Sequence, residues 1–203
     1  IPSRNKINNL LRLADTLTDH SLIESVTFYY DDHTYHKLEQ FNTDTQKLFL
    51  PLSQVSSPWL KHFETTGASQ LFVPKVDLSE KEVTEHGPLA YIKPIFYRSY
   101  DGDPESIAAY SAIYFSEDAF EEILKKDSTI KDEFSFLIND DLDLISASDP
   151  SLFSNNLAIQ ALQSDPSASG QFQLVNYGEF SAYTACFPLK NTDWYMCSLI
   201  PRN

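Results

Sequence analysis

Two stretches constrain this chain more than any others. LAYIKPIFY, a polar turn and SIAAYSAIYF occupy residues 89–115, and SAYTACFPL, KNTD and WYMCSLIP occupy residues 181–201. Each holds a strand-like run ending in proline and a branched aliphatic residue, then a polar turn, then a second strong run of β-branched and aromatic residues. Such residues at period two fit a pleated, half-buried sheet surface. Each stretch also follows a helical pattern, so the chain reads as one α/β unit used twice. The pattern restarts near residues 125–131. The expected modules are therefore 1–126 and 127–203, each with an antiparallel sheet rather than parallel βαβ repeats.

The rest of the chain fits this frame. Ile7, Leu10, Leu11, Ala14 and Leu17 recur at helical spacing, so residues 5–17 form an amphipathic helix, with Ser3 placed to cap it. Residues 25–30 are a β-run that stops at Asp31-Asp32. A helix is expected over 54–66, closed by Gly67, and 35–50 is ambiguous between helix and strand. SEDAFEEILKK has acids in its first turn and lysines in its last, as a helix macrodipole favours. EFSFLINDDLDLISAS reads as strand, acidic turn, strand, and a further helix is expected near 155–163.

Charge excludes one class of partner. The net charge of −14 repels phosphate backbones, and no basic run offsets it, so nucleic acid is not an expected partner. No stretch approaches the about 18–20 apolar residues of a membrane span. The chain opens Ile1-Pro2-Ser3, without an initiator methionine, and is expected to be a piece of a longer protein.

Catalytic signatures are missing. There is no G-x-S-x-G, phosphate-binding loop or dinucleotide fingerprint, so neither a cofactor nor an enzymatic activity is expected. His33-x-x-His36 beside Asp31 and Asp32 is read as solvated loop histidines, because residues three apart in a strand face opposite ways. INDDLDL has acids but not the glycine and terminal glutamate of a calcium loop, and is read as a hairpin turn.

Cys186 and Cys197 are the two cysteines. A hairpin turning at KNTD, with a two-residue or a four-residue loop, sets them directly opposite each other. Opposed Cβ atoms lie about 4.5–5.5 Å apart, longer than a disulfide prefers. Two small buried residues packing across the strands is therefore the preferred reading, with a bridge as the alternative in an extracellular setting.

The second half resembles a known family. EFSFLINDDLDLISASDPSLFSNNL and YGEFSAYTACFPLKNTDWYMCSLIP are similar, in order, to the strands and final hairpin of Cache modules. SPWLKHFETTG and ESIAAYSAIYFSEDAFEEIL look like the matching parts of a membrane-distal module. The closest resemblance is to the extracytoplasmic double-Cache sensor region of Gram-positive membrane histidine kinases. It implies an α+β fold with a long N-terminal helix followed by two tandem PAS-like Cache modules with antiparallel sheets. It also implies a small-molecule-sensing domain outside the plasma membrane, tethered by flanking spans and homodimeric in the intact receptor. The last strand would lead into the second span. Amino-acid-binding members carry an Arg-x-Trp-Tyr run and an aspartate on the last distal strand. Here Trp59 has Ser57 two places before it and Leu60 after it, and Tyr114 stands at the aspartate position.

The pocket implied by a PAS-like module lies between one sheet face and the helix above it. Alternation puts Tyr91, Lys93, Ile95 and Tyr97 on one face, and Ala108, Tyr110, Ala112 and Tyr114 on one face of the next strand. If those faces adjoin, they form a tyrosine-rich wall with Trp59 and Lys93, suited to a polar or sugar-like ligand, with Arg98 placed for a carboxylate. Two alternatives compete. One is the same fold serving a chemotaxis or nucleotide-cyclase receptor, and the other a free-standing secreted carbohydrate-binding protein or enzyme.

Overall fold

The structure is a computed structural model that describes residues 4–43, 47–96, 106–126, 132–149, 171–177, 180–190 and 192–202. The chain divides into two compact units, Ile1–Ser116 and Glu117–Asn203. Each is built on a five-stranded, mostly antiparallel sheet, and the whole is α+β.

The first unit opens with helix α1, Arg4–Thr18, followed by β1, Ile23–Tyr30. Then come α2 (Asp32–Leu38), β2 (Phe49–Pro51), α3 (Trp59–Thr66) and β3 (Leu71–Val73). Helix α4 (Glu80–Glu85) leads to the long hairpin strands β4 (Leu89–Phe96) and β5 (Ile107–Phe115). The sheet order is β2-β1-β5-β4-β3. Its β1–β2 pair is parallel, contrary to the all-antiparallel expectation. The reason is the connection: α2 carries the chain across, and parallel neighbours require such a crossover.

Each face of this sheet is covered. Ile7 and Ala14 of α1 lie over Val26, Phe28, Tyr30 and Ala109. Trp59 and Phe63 of α3 lie over the other face, on Tyr29, Ile92, Tyr110 and Ala112. Helix α3 starts at Trp59, later than expected, because Leu52–Gln54 forms a separate 3-10 turn and Pro58 precedes the helix. Gly67 closes it with φ 63°, the left-handed conformation that suits glycine.

The second unit begins with α5, Glu117–Lys126, which packs on β6 (Phe134–Asn139) and β7 (Leu144–Ala147). The restart of the sequence pattern near residues 125–131 places α5 in the first module, whereas its packing places it in the second unit. Strands β8 (Gln173–Tyr177), β9 (Phe180–Pro188) and β10 (Trp194–Pro201) complete a sheet of order β7-β6-β10-β9-β8. The β6–β7 turn is the expected acidic hairpin, where the backbone N–H of Asp143 donates to Asn139 Oδ1 at 2.8 Å and Leu142 sits at φ 67°. Phe136, Ile138, Ala182, Cys197 and Leu199 form the apolar core on one face. The helix expected near 155–163 and the cap expected at Ser3 lie outside the described residues.

Register pairs Cys186 with Cys197, as the hairpin argument anticipated, but the two are joined in a disulfide rather than packed as free thiols. Their Cα atoms are 4.1 Å apart. Directly opposed residues come that close at non-hydrogen-bonded positions, which is why the bridge is reachable. Among the described residues no helix is long and apolar enough to cross a membrane.

Candidate functional site

The covered face of the first sheet contains an unusual layer. Tyr29 pairs with Tyr110, Thr27 with Ala112 and Ser25 with Tyr114. Paired residues project to the same side, so these side chains share the face beneath α3. Trp59 is 2% exposed and Tyr114 0%. The Trp59 ring lies 5.5 Å from Tyr110 and 5.6 Å from Tyr29 between centroids, in tilted and edge-on arrangements that aromatic pairs favour.

A carboxylate is buried in this aromatic layer. Glu82, 6% exposed, comes from α4, whose first turn carries a capping box: Ser79 Oγ accepts from the Glu82 backbone N–H, and the Ser79 N–H donates back to Glu82 Oε2. The carboxylate reaches beyond its own helix. Ser57 Oγ donates to Oε2 in a short contact, Ser79 Oγ donates to Oε2 at 2.7 Å, and Trp59 Nε1 donates to Oε1 at 3.0 Å. Tyr114 Oη donates to Oε1 at a longer 3.4 Å and is itself 2.7 Å from Tyr29 Oη. One polar chain therefore runs from α4 through β5 to β1.

The protonation states follow from these partners. Burial pushes the Glu82 carboxyl upward, but the donors Ser57, Trp59 and Ser79 together outweigh it and hold it below the usual carboxylate range. Burial raises Tyr29 and Tyr114 far above an ordinary phenol, so both remain neutral donors. His86 follows α4, stacks on Tyr114 at 5.1 Å, and is lowered chiefly by burial, so it is held neutral. Thr27 Oγ1, on the same face, is buried with no hydrogen-bond partner among the described residues.

Three of the seven residues proposed from sequence gather here: Trp59, Tyr110 and Tyr114. Tyr91 and Lys93 do not. Pro94 pairs with Tyr110, Ile92 with Ala112 and Ala90 with Tyr114, so Tyr91 and Lys93 project from the opposite face. There Tyr91 Oη donates to Gln70 Oε1 at 2.8 Å with its ring 4.8 Å from Phe72, and Lys93 is exposed. Tyr97 and Arg98 lie outside the described residues. The sequence reading missed Glu82, Tyr29 and His86. Ser79-x-x-Glu82 was the available signal, a capping-box spacing that marks a helix start.

The two histidines near Asp31 sit on α2 instead of in a loop. His33 Nε2 lies 2.7 Å from Lys37 Nζ, and His36 lies 3.6 Å from Glu39. Among the described residues no cluster of three potential metal ligands occurs.

No protein-family model matches the sequence, and no curated protein matches it. Solved structures do. The extracellular domain of rpHK1S-Z16, described as a histidine kinase, aligns over 100% of this chain and 79% of that chain at 16% identity and TM-score 0.61. The ligand-binding domain of the Campylobacter jejuni chemoreceptor Tlp3, in complex with 4-methylisoleucine, aligns over 99% and 74% at 14% identity and TM-score 0.56. A second Tlp3 structure, with L-norvaline, matches 72% of this chain and 53% of that chain at 14% identity and TM-score 0.47. The chain has the two-sheet α+β fold of these extracellular sensory and ligand-binding domains.

Proposed function

We propose that this chain is the extracellular ligand-sensing region of a membrane histidine kinase, a binding domain and not an enzyme. The observation that carries the reading is the buried polar chain Glu82–Trp59–Tyr114–Tyr29 inside an otherwise aromatic and apolar layer, within a fold shared with sensory domains. An apolar enclosure with a few convergent polar groups is the usual form of a small-molecule site. Thr27 Oγ1 adds a buried hydroxyl that a ligand can satisfy. The ligand is a small polar or sugar-like molecule of about the size of the 4-methylisoleucine held by Tlp3. Trp59, Tyr110 and Tyr114 contact it.

In the parent receptor the domain is membrane-tethered and works as a homodimer, and binding shifts a two-state equilibrium by its differential affinity for the two states. The output module is identified by the coding sequence downstream of Asn203. A kinase there supports this reading and a chemotaxis signalling module replaces it.

A thermal-shift screen against amino acids, sugars, peptides and organic acids tests the site. With a stabilising compound in hand, Trp59→Phe and Tyr114→Phe keep the rings, remove one donor each, and weaken binding on the order of tenfold. Tyr91→Ala, on the opposite face, leaves binding unchanged. Loss of binding in Tyr91→Ala with retention in the other two refutes the assignment.

A further inference from the structure

Among the described residues, the site proposed above has little open room. The cleft beside it, lined by residues that include Tyr29, Val55, Ser79, Glu82 and His86, has a volume of about 20 Å3. That is room for about one water, whereas sites for small organic molecules are on the order of 300–1,000 Å3. Some element must move before a ligand fits.

Helix α4 is held by few apolar contacts. Its buried residue is Glu82, and Val83 is half-buried against the aromatic layer. Segments with few apolar contacts open at low cost. The two ends of α4 are fastened differently. At the C-terminal end, His86 stacks on Tyr114, and its carbonyl accepts from Ser25 Oγ at 3.0 Å. Gly87 follows at φ 135°, where a Cβ would stand 3.1 Å from the Phe115 carbonyl oxygen, so the chain is pressed onto β5. Nearer the N-terminal end, the Glu82 carboxylate makes most of the ties to the body of the unit, through Ser57, Trp59 and Tyr114, beside the Ser79 N–H to Ser57 Oγ at 2.7 Å and the exposed Lys81 Nζ to Gln54 Oε1 at 3.1 Å.

We infer that α4 is a lid anchored at His86–Gly87 and latched by Glu82, and that the ligand is a small molecule carrying a carboxylate, which takes over the donors Glu82 releases. This rests on the sensory reading above and narrows its ligand class. Of the donors that converge on Glu82, those of Ser79 belong to α4 and leave with it, whereas Ser57 Oγ, Trp59 Nε1 and Tyr114 Oη stay behind, and all three are neutral. They are arranged around two acceptor oxygens. An ammonium group has no acceptor to offer them, and a single hydroxyl leaves part of the set unsatisfied. A ligand carboxylate accepts from all three, so the exchange leaves no buried donor unpaired. The departing Glu82 moves outward beside Lys81, which is exposed and also lines the cleft. Because the domain carries a net charge of −14, long-range attraction does not bring an anion in.

The test uses acetate as the probe and amide hydrogen exchange as the readout, so it needs no compound from the screen. In Glu82→Gln, the amides of residues 79–86 exchange on the order of tenfold or more faster than in the wild type, while those of β6 and β10 keep their rates. In Glu82→Ala, acetate binds saturably, slows exchange over 79–86 and raises the unfolding midpoint above that in equimolar chloride. The wild type shows no acetate response. If Glu82→Ala is unfolded in chloride, acetate restores its fold. Wild-type exchange rates over 79–86 in Glu82→Gln overturn the latch. A Glu82→Ala protein that acetate neither protects nor refolds overturns the carboxylate assignment. Acetate rescue combined with a screen that yields no ligand strikes the sensory reading and leaves the latch standing.

Discussion

The two sheets use the same strand order, each with its second strand outside the first, followed inward by the fifth, fourth and third. What covers them differs. The first sheet lies under a polar chain centred on Glu82 and a set of tyrosine hydroxyls, whereas the described core of the second is apolar apart from the buried Thr184 and is pinned by the Cys186–Cys197 disulfide. They differ at one edge as well: β1 and β2 are parallel across α2, and β6 and β7 are antiparallel across a tight turn. On the function proposed above, a repeated framework carries two tasks. Strand order follows from the shared pattern of β-runs, and the capacity to bind follows from what the inserted helices place over the sheet. A buried, hydrogen-bonded carboxylate is costly to desolvate and adds less to stability than apolar packing would. Among the described residues such a carboxylate is found in the first unit, which is why the ligand is proposed to bind there.

That contrast can be broken by experiment, because each unit holds one of the chain's two tryptophans. Trp59 reports on the first unit and Trp194 on the second. The largest effect is expected from Trp59→Ala, which empties a buried site and strips Glu82 of a donor. It should cost the first unit about 3–5 kcal/mol, read by denaturant unfolding followed at Trp194 and by far-UV circular dichroism. The Trp194 transition should stay in place, and an equal shift there would merge the units into one cooperative block.

Removing the bridge comes next. Cys186→Ala with Cys197→Ala should cost the second unit about 2–4 kcal/mol and leave the Trp59 transition unmoved. Gly87→Ala should cost the first unit about 1–3 kcal/mol, because alanine is strained at φ 135° and its Cβ meets the Phe115 carbonyl. Gly67→Ala is also strained, at φ 63°, but meets open space and should cost less. A Gly67→Ala variant more damaging than Gly87→Ala would contradict the close packing of the lid's anchor.

The smallest effect is the pH response. Glu82 and His86 both titrate below their ordinary values in the folded unit. A depressed folded value means that the contribution is complete above the unfolded value and is lost as pH falls toward the folded one. The first unit should therefore weaken in two stages on acidification, beginning below the ordinary histidine range and continuing below the ordinary carboxylate range. Midpoints measured at Trp59 across pH check this, and His86→Phe should remove the upper stage alone.

Much of the framework was legible because its signals are local. The β-runs at 89–97, 106–115 and 181–201, the helix over 116–126 and the opposition of Cys186 to Cys197 all follow from alternation and turn chemistry. The site was only partly legible. Alternation within β4 and within β5 was read correctly, but which phase of one strand meets which phase of the other depends on hairpin register, and a one-residue offset exchanges faces. The bulge between Ile95 and Phe96 lies in that hairpin. Hence Tyr91 and Lys93 project from the face opposite Tyr110 and Tyr114. Glu82 is not legible because SEKEVTEHG is polar apart from Val83 and has no apolar stripe, so a helix fastened by a carboxylate resembles a solvated loop.

The central claim is that the first unit binds the ligand and the second supports it. Unfolding of a Trp194→Phe protein followed at Trp59, and of a Trp59→Phe protein followed at Trp194, each with and without the screened ligand at about one hundred times the Kd of that variant, tests this directly. The account predicts about 2.7 kcal/mol of added stability at Trp59. At Trp194 it predicts no shift. Stabilisation confined to Trp194 would put the site in the second unit and contradict it.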